Sequence, residues 1–258
     1  MTHHVRIGGD RLLNLGWVIK ERHGALTVPR ELRWEPETFG LLANPVEELA
    51  NLRNGSISAA ADFWVPDSYP QLLQGTEGGR AISVDVELAW VLPPATASSS
   101  TFGARVLSAP TKQPGPANTT TTTVGVTVTV TVAAAAAADG SRAAVLTVFD
   151  CGSLAPTGKP GAECGTQANA ARHHFTVLAG EHLLKMRVLV DRTIVEAFVQ
   201  GGRVAYTKSH TPSDWRHTDV YLLSSNGSAV CAAATVWSMG CGWVDVDEQS
   251  SVSQPPYE

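Results

Sequence analysis

Cysteine and histidine are the residues in this chain best suited to bind a metal or to act as a nucleophile. The spacings of the four cysteines match no zinc site: Cys151, Cys164, Cys231 and Cys241. The adjacent pairs His3-His4 and His173-His174 place successive side chains on opposite faces of a strand, so neither pair can chelate an ion on one face. No nucleophile elbow or Gly-rich phosphate loop occurs in the sequence. We therefore expect no metal and no cofactor.

The cysteines also allow a different chemistry, because Cys151 with Cys164 and Cys231 with Cys241 could form two local disulfides in an oxidising compartment. Three sequons would suit an N-glycosylated, secreted protein: Asn54, Asn118 and Asn226. The alternative is four free thiols and unused sequons. Residues 1–8 have no apolar segment behind their basic residue and predict no secretory signal. Secretion and a lysosomal or vacuolar location both stay open.

Composition narrows the classes of partner. The 258 residues are 43% hydrophobic and 17% charged, which suffices for a sizeable core in one or two domains. The formal net charge is −5, and no run of Lys or Arg could neutralise a phosphate backbone or an anionic lipid surface. No apolar stretch reaches the length of a transmembrane helix. We expect neither nucleic acid nor a membrane as partner.

Apolar residues alternate with polar ones from about residue 60 onward. In residues 82–90 the apolar side chains share one face, with Ser83, Asp85 and Glu87 opposite, which is the pattern of a half-buried strand. Similar runs occupy 124–132, 144–149, 174–178, 183–190, 194–199, 204–208, 220–223 and 229–239. Short strands separated by Gly, Pro, Asn and Asp predict an all-β fold, an antiparallel β-sandwich. The biased stretches 110–123 and 133–138 predict a loop around one strand.

The first 60 residues have a different pattern. Residues 11–19 and 24–32 each predict a short strand, and two strands alone form only a marginal ribbon. Helix signals follow, with Asn44 at the cap, Pro45 at the first helical position, Glu47 in the first turn and Arg53 in the last. The sequence thus predicts a short helix that ends at Asn54-Gly55.

Three segments in order carry a resemblance to a known family: 26–32 (LTVPREL), 44–53 (NPVEELANLR) and 189–198 (LVDRTIVEAF) with Gly201 and Gly202. These segments resemble glycoside hydrolase family 32, the β-fructofuranosidases or invertase-like enzymes. The first resembles the signature near the end of the family's propeller, and the second resembles its linker helix. The third resembles the hairpin of its C-terminal sandwich. The resemblance implies a remnant of the fifth propeller blade at 1–32, a linker with a short helix at 33–59, a β-sandwich at 60–246 and a flexible tail at 247–258.

The same resemblance implies catalytic carboxylates that this chain lacks. Retaining glycosidases use two carboxyl groups about 5–5.5 Å apart. The family's nucleophile motif Asn-Asp-Pro-Asn-Gly and its Arg-Asp-Pro motif are absent from the sequence. Glu163-Cys164 is similar to the acid/base motif, but it follows the 26–32 signature, whereas the family's motif precedes it. We interpret this pair as coincidence and predict no catalytic residue.

The most family-like segment still contains two carboxylates, Asp191 and Glu196. Asp191 is predicted in a hairpin turn, where Asp commonly bonds its own backbone. If Glu196 is buried it needs a partner, for which Arg187 or Arg192 is suitable. We expect structural roles for both acids. Trp17, near the end of the blade, is either a substrate-binding residue that lines a sugar pocket or a residue that packs between blades.

These features predict the C-terminal part of a β-fructofuranosidase-like hydrolase that supplies scaffold and is inactive alone. The resemblance implies that β-fructoside sugars bind through a propeller missing from this chain, and it leaves a homodimer open. The alternative is a stand-alone carbohydrate-binding β-sandwich, which needs exposed aromatic residues on one face. The chain has 7 Trp, 4 Tyr and 6 Phe, and several fall at inward-facing strand positions. A truncated gene product without independent function is the third hypothesis.

Overall fold

The computed structural model describes residues 2–7, 11–20, 23–67, 70–74, 83–95, 98–108, 124–151, 170–211, 214, 216–225 and 229–240. In this part of the chain, seventeen β-strands form three sheets, and there is one short 3₁₀ helix. Each strand pairs antiparallel with its neighbours. The predicted all-β, antiparallel fold class is confirmed. Among these residues no helix has the length and apolar character that a bilayer crossing requires.

The N-terminal sheet contains five strands: β1 Thr2–Ile7, β2 Arg11–Lys20, β3 His23–Leu26, β4 Arg30–Glu35 and β5 Gly40–Pro45. Their order is β1-β2-β4-β5, with β3 paired to β2. The expectation that two strands stand alone here was wrong, because β1, β4 and β5 complete a sheet. The predicted strand 24–32 is interrupted at Thr27, whose N–H and Oγ1 both bond the backbone of Gly16, each at 2.8 Å. Pro29 has no N–H to continue a ladder.

A 3₁₀ helix, Glu47–Leu52, joins this sheet to the rest of the fold. A short helix was predicted here, but its predicted start was wrong. Asn44 and Pro45 are the last residues of β5 and pair with β4, and the N-cap position is Val46, which has no side-chain cap hydrogen bond. Arg53, predicted in the last helical turn, begins the next strand. Strand pairing outweighs the capping preference of Asn44, because local helix propensity is a weak determinant.

Two six-stranded sheets form the predicted sandwich. The front sheet has the order β15-β14-β13-β8-β17-β6, with β6 Arg53–Val65, β8 Ser83–Val91, β13 Leu183–Asp191, β14 Ile194–Val199, β15 Val204–Ser209 and β17 Ala229–Met239. The back sheet has the order β12-β11-β10-β9-β16-β7, with β7 Gln71–Gln74, β9 Ser100–Ser108, β10 Gly125–Ala136, β11 Arg142–Cys151, β12 Ala171–Val177 and β16 Asp219–Ser225.

The core lies between these two sheets and follows the predicted alternation. Val84, Val86, Leu88 and Trp90 of β8 all point inward. Trp90 stacks on Phe102 of the opposite sheet with ring centroids 5.5 Å apart. The mostly β-branched and aliphatic inner faces of both sheets explain why these segments form strands that pack face to face.

Four elements differ from the sequence prediction. In the sandwich, β6, β7 and β9 had no predicted strand, and β10 extends to Ala136 into a stretch predicted as loop. The predicted boundaries at residues 32 and 59 fall inside β4 and β6. Alanine and glycine carry a weak strand signal, so pairing with neighbours decides these segments.

Candidate functional site

The outer face of the front sheet meets the N-terminal sheet at Glu196 of β14, which is only 2% exposed. Its Oε1 accepts the backbone N–H of Val28 at 2.6 Å. Its Oε2 accepts hydrogen bonds from the Arg30 guanidinium and, at 3.2 Å, from the Thr207 hydroxyl. Both oxygens of the carboxylate are therefore bound by donors of the protein itself.

Glu196 is buried and paired with an arginine, but the predicted partners Arg187 and Arg192 were wrong. The cation beside it is Arg30 of the N-terminal sheet, 166 residues away in sequence, rather than Arg187 or Arg192. Arg30 also lies over the ring of Phe198, with its guanidinium carbon 5.1 Å from the ring centroid. Ion pairing and cation–π contact together hold β4 against β14.

Two further contacts join the N-terminal sheet to the sandwich. The Ala43 N–H of β5 donates to the carbonyl of Gly202 at 2.9 Å. Arg203 donates to Glu35 of β4 at 2.8 Å and to Glu181 at 3.0 Å. Hydrogen bonding from Arg203 lowers the pKa of Glu35. We call the set Arg30–Glu196, Ala43–Gly202 and Arg203–Glu35 the sheet junction.

Asp85 of β8 is fully buried on the outer face of the front sheet, where the sequence predicted a solvent-facing side chain. Arg187 forms a bidentate pair with it, at 2.9 and 2.7 Å, and Arg53 donates to it at 2.8 Å. Arg53 also bonds Glu87 and stacks on Trp237, with its guanidinium carbon 3.7 Å from the ring centroid. Arg187 therefore serves Asp85, and this cluster was missed because only its spatial neighbours reveal it.

A cleft of about 570 Å³ lies between the 3₁₀ helix and the β13–β14 hairpin, and Asp191 and Glu196 both line it. Asp191 ends β13 and accepts a hydrogen bond from Ser83 at 2.9 Å, rather than from its own backbone. A nucleophile or an acid/base needs a free carboxylate oxygen or proton at the substrate. Both oxygens of Glu196 are hydrogen-bonded to donors of the protein, which fix the carboxylate in place on this side of the cleft.

Trp17 lies on β2 opposite Leu26, and its side chain is 48% exposed. It does not line the cleft that holds Glu196. Its substrate-binding role stays a prediction. Glu163 and Cys164 lie outside the described residues.

Cys231 is a free, fully buried thiol in this structure. The Cys231 Sγ contacts the Ala233 carbonyl at 3.3 Å. Cys241 lies outside the described residues, and a disulfide between the two cysteines stays a prediction. The Cys151 side chain and Cys164 lie outside the described part.

The remaining predicted site residues are only partly described. Asn54, at the start of β6, is exposed, as an N-glycosylation acceptor requires. Asn118 and Asn226 lie outside the described residues, and glycosylation stays a prediction. The His173 ring contacts that of Tyr206 in a tilted arrangement, with centroids 4.8 Å apart. In the described ranges no group of three or more His, Cys, Asp or Glu side chains is arranged to hold a metal ion.

Comparisons with known proteins give a consistent result. A family model described as "Glycosyl hydrolases family 32 C terminal" matches residues 48–238. A 6(G)-fructosyltransferase of Asparagus officinalis is 44% identical over 69 residues, which is 25% of this chain and 11% of the relative. The vacuolar acid beta-fructofuranosidase 4 of Arabidopsis thaliana is 41% identical over 71 residues, 26% of this chain and 10% of the relative. The matched region is thus about a tenth of each curated relative.

Solved structures agree in fold. A fructan 1-exohydrolase IIa from Cichorium intybus, solved in complex with 1-kestose, superposes with a TM-score of 0.68 at 14% identity, over 93% of this chain and 47% of that chain. Exo-inulinase from Aspergillus awamori gives a TM-score of 0.58 at 15% identity, over 92% of this chain and 42% of that chain. At these identities the likeness establishes the fold.

Proposed function

The chain belongs to the family of C-terminal domains of glycosyl hydrolases family 32. From this premise we propose that it is the scaffold part of an enzyme acting on β-fructosides. In this proposal the chain does not itself supply the catalytic carboxylates. Two curated relatives carry the names fructosyltransferase and beta-fructofuranosidase, which supports the substrate class. The observation that carries the proposal is Glu196, whose two carboxylate oxygens accept hydrogen bonds from Val28, Arg30 and Thr207.

We assign the N-terminal sheet to the last blade of a propeller that would hold the sugar. One face of this sheet carries Leu12, Trp34 and Leu41, which are 37%, 58% and 59% exposed. Large apolar side chains exposed together mark an interaction surface, and a neighbouring blade is the partner that the family supplies. Trp17 is exposed on the other face of the sheet, and we propose it as the side chain nearest to a sugar held by such a propeller.

Fructose release tests the catalytic part of the proposal. The purified chain is incubated with sucrose, 1-kestose or inulin, and free fructose is measured against a buffer blank. We expect no release above the blank, because Glu196 is engaged and the nucleophile motif is absent from the sequence. Release by the chain that is lost in Glu196→Gln or Asp191→Asn would overturn the proposal.

Without a neighbouring blade, we expect the exposed face of the N-terminal sheet to pair with its copy and give a homodimer. Sedimentation velocity across a concentration series measures this association. Leu41→Lys should convert dimer to monomer, because it places a charge in the apolar face. Leu72→Lys is the matched control, since Leu72 is 47% exposed on β7 of the back sheet. A monomer at all concentrations, or a dimer insensitive to Leu41→Lys, would contradict this assignment.

A further inference from the structure

A second cleft, of about 410 Å³, opens on the outer face of the front sheet beside β5. Its volume lies within the range of small-molecule sites. Ala89 and Ala233 line it, and they are direct cross-strand neighbours on β8 and β17. Their small side chains leave a flat, apolar floor between the charged cluster at Asp85 and the end of the sheet.

Polar side chains that need partners surround this floor. Asn44, Lys185 and Thr235 line the cleft, and none of their side chains has a hydrogen bond or ion pair within the described part of the chain. The side chain of Glu87 is 44% exposed. Its Oε1 contacts Arg53 and Arg187, which leaves its Oε2 as an acceptor for a ligand. The cleft therefore presents donors and acceptors side by side, as ligands with several hydroxyl groups require.

Charge in and around the cleft favours a neutral ligand. Arg53 and Arg187 are paired with Asp85, so their charge is compensated. Lys185 is the cation in the lining without such a pair, and Glu87 offers the opposite charge in the same lining. An anion would meet Glu87 and a cation would meet Lys185, whereas hydroxyl groups can bond to both.

Trp64 extends the site along the sheet. It is 69% exposed and pairs with Val230, and a row of cross-strand neighbours three residues further along contains Ala61, Ala233 and Ala89. Three residues of an extended strand span about 10 Å. An exposed indole at this spacing from a polar cleft can stack on a second ring of a ligand that the cleft holds.

From this arrangement we infer that the outer face of the front sheet binds a neutral oligosaccharide, with one ring in the cleft bonded to Asn44, Lys185, Glu87 and Thr235 and a further ring on Trp64. This sugar site is formed by the sandwich and the last strand of the N-terminal sheet, and it requires no catalytic group. The choice of a fructose-containing probe rests on the proposed function, but sugar binding and fructose release are separate readouts.

Isothermal titration calorimetry of the purified chain with 1-kestose tests the site. Lys185→Met should raise the Kd about ten- to a hundredfold, because it removes a charged hydrogen-bond donor. Trp64→Ala should raise it about two- to tenfold through the lost stacking. Both residues are exposed, so the variants should fold, and circular dichroism with thermal denaturation verifies this.

Trp34→Ala is the matched control, because Trp34 is similarly exposed, at 58%, on the N-terminal sheet, and its Kd should equal that of the unchanged chain. Saturable binding weakened by both front-sheet substitutions supports the inference. No heat at 1-kestose concentrations up to the tens of millimolar that weak sugar sites need, or binding that neither substitution weakens, overturns it. Binding lost in Trp17→Ala alone would place the sugar elsewhere and also overturn it.

Discussion

Replacing Glu196 with alanine should destabilise the chain severely, because it empties the centre of the sheet junction. The Glu196 side chain is 3% exposed and that of Arg30 is 13% exposed. Removing one partner of a buried ion pair costs about 3–5 kcal/mol, since the other charge stays buried without compensation. Arg30 keeps a hydrogen bond to Thr207 at 2.5 Å, so we expect the lower half of that range, about 3–4 kcal/mol.

Urea denaturation, followed by tryptophan fluorescence and far-UV circular dichroism, measures this loss. With a denaturant slope of about 2–3 kcal/mol/M, the midpoint should fall by about 1–2 M. The double variant Arg30→Met with Glu196→Leu should recover most of the stability, because apolar residues of similar volume replace both charges. Recovery would identify the unpaired charge, rather than lost packing, as the cause.

Glu37→Ala is the control for this experiment. Glu37 is an exposed acid in the turn between β4 and β5, so the free energy of unfolding should not change. A Glu196→Ala chain within about 1 kcal/mol of the unchanged protein would refute the reasoning, because that is the range of an exposed ion pair. Destabilisation of the double variant equal to that of Glu196→Ala would refute the charge argument alone.

Three further predictions concern other parts of the fold. Gly202→Ala should lower the Tm more than Gly201→Ala. Both glycines have positive φ, +90° for Gly202 and +65° for Gly201. A Cβ at Gly202 would lie 2.4 Å from the β5 backbone, whereas a Cβ at Gly201 would meet open space. Equal Tm values would contradict the close approach. His210, whose Nδ1 lies 3.6 Å from one Asp150 oxygen, and Lys208, whose Nζ lies 3.3 Å from the other, hold the pKa of Asp150 at about 2. This is below the unfolded value, so the stabilisation is complete above about pH 4 and disappears as the pH falls towards 2. Asp150→Asn should therefore lose less stability than the unchanged chain over that interval, and parallel pH curves would disprove the linkage. Burial raises the pKa of the Cys231 thiol to about 12. Iodoacetamide should therefore modify this thiol in urea without reductant but not in the native chain. Modification of Cys231 only after reduction would indicate a disulfide.

Strands with strong alternation could be predicted from the sequence almost to the residue. The predicted ranges 82–90 and 183–190 match β8 and β13 to within one residue at each end, because a period of two in large apolar residues is a local property that pairing does not change. β6 and β9, rich in Ala, Ser and Gly, were missed. Small side chains contribute little to strand preference, so these segments become strands only when neighbours pair with them.

Motifs and alternation in the sequence alone determined the fold class, the family resemblance and the absence of the nucleophile motif. Alternation shows which side chains share a face of a strand, but it does not show whether that face is covered. The burial of Asp85 and Glu196 was decided only by the tertiary structure, which brings partners from 102 and 166 residues away onto the front sheet. A carboxylate becomes a structural anchor when distant cations and amides reach it, and that depends on how the sheets pack rather than on its neighbours in the chain.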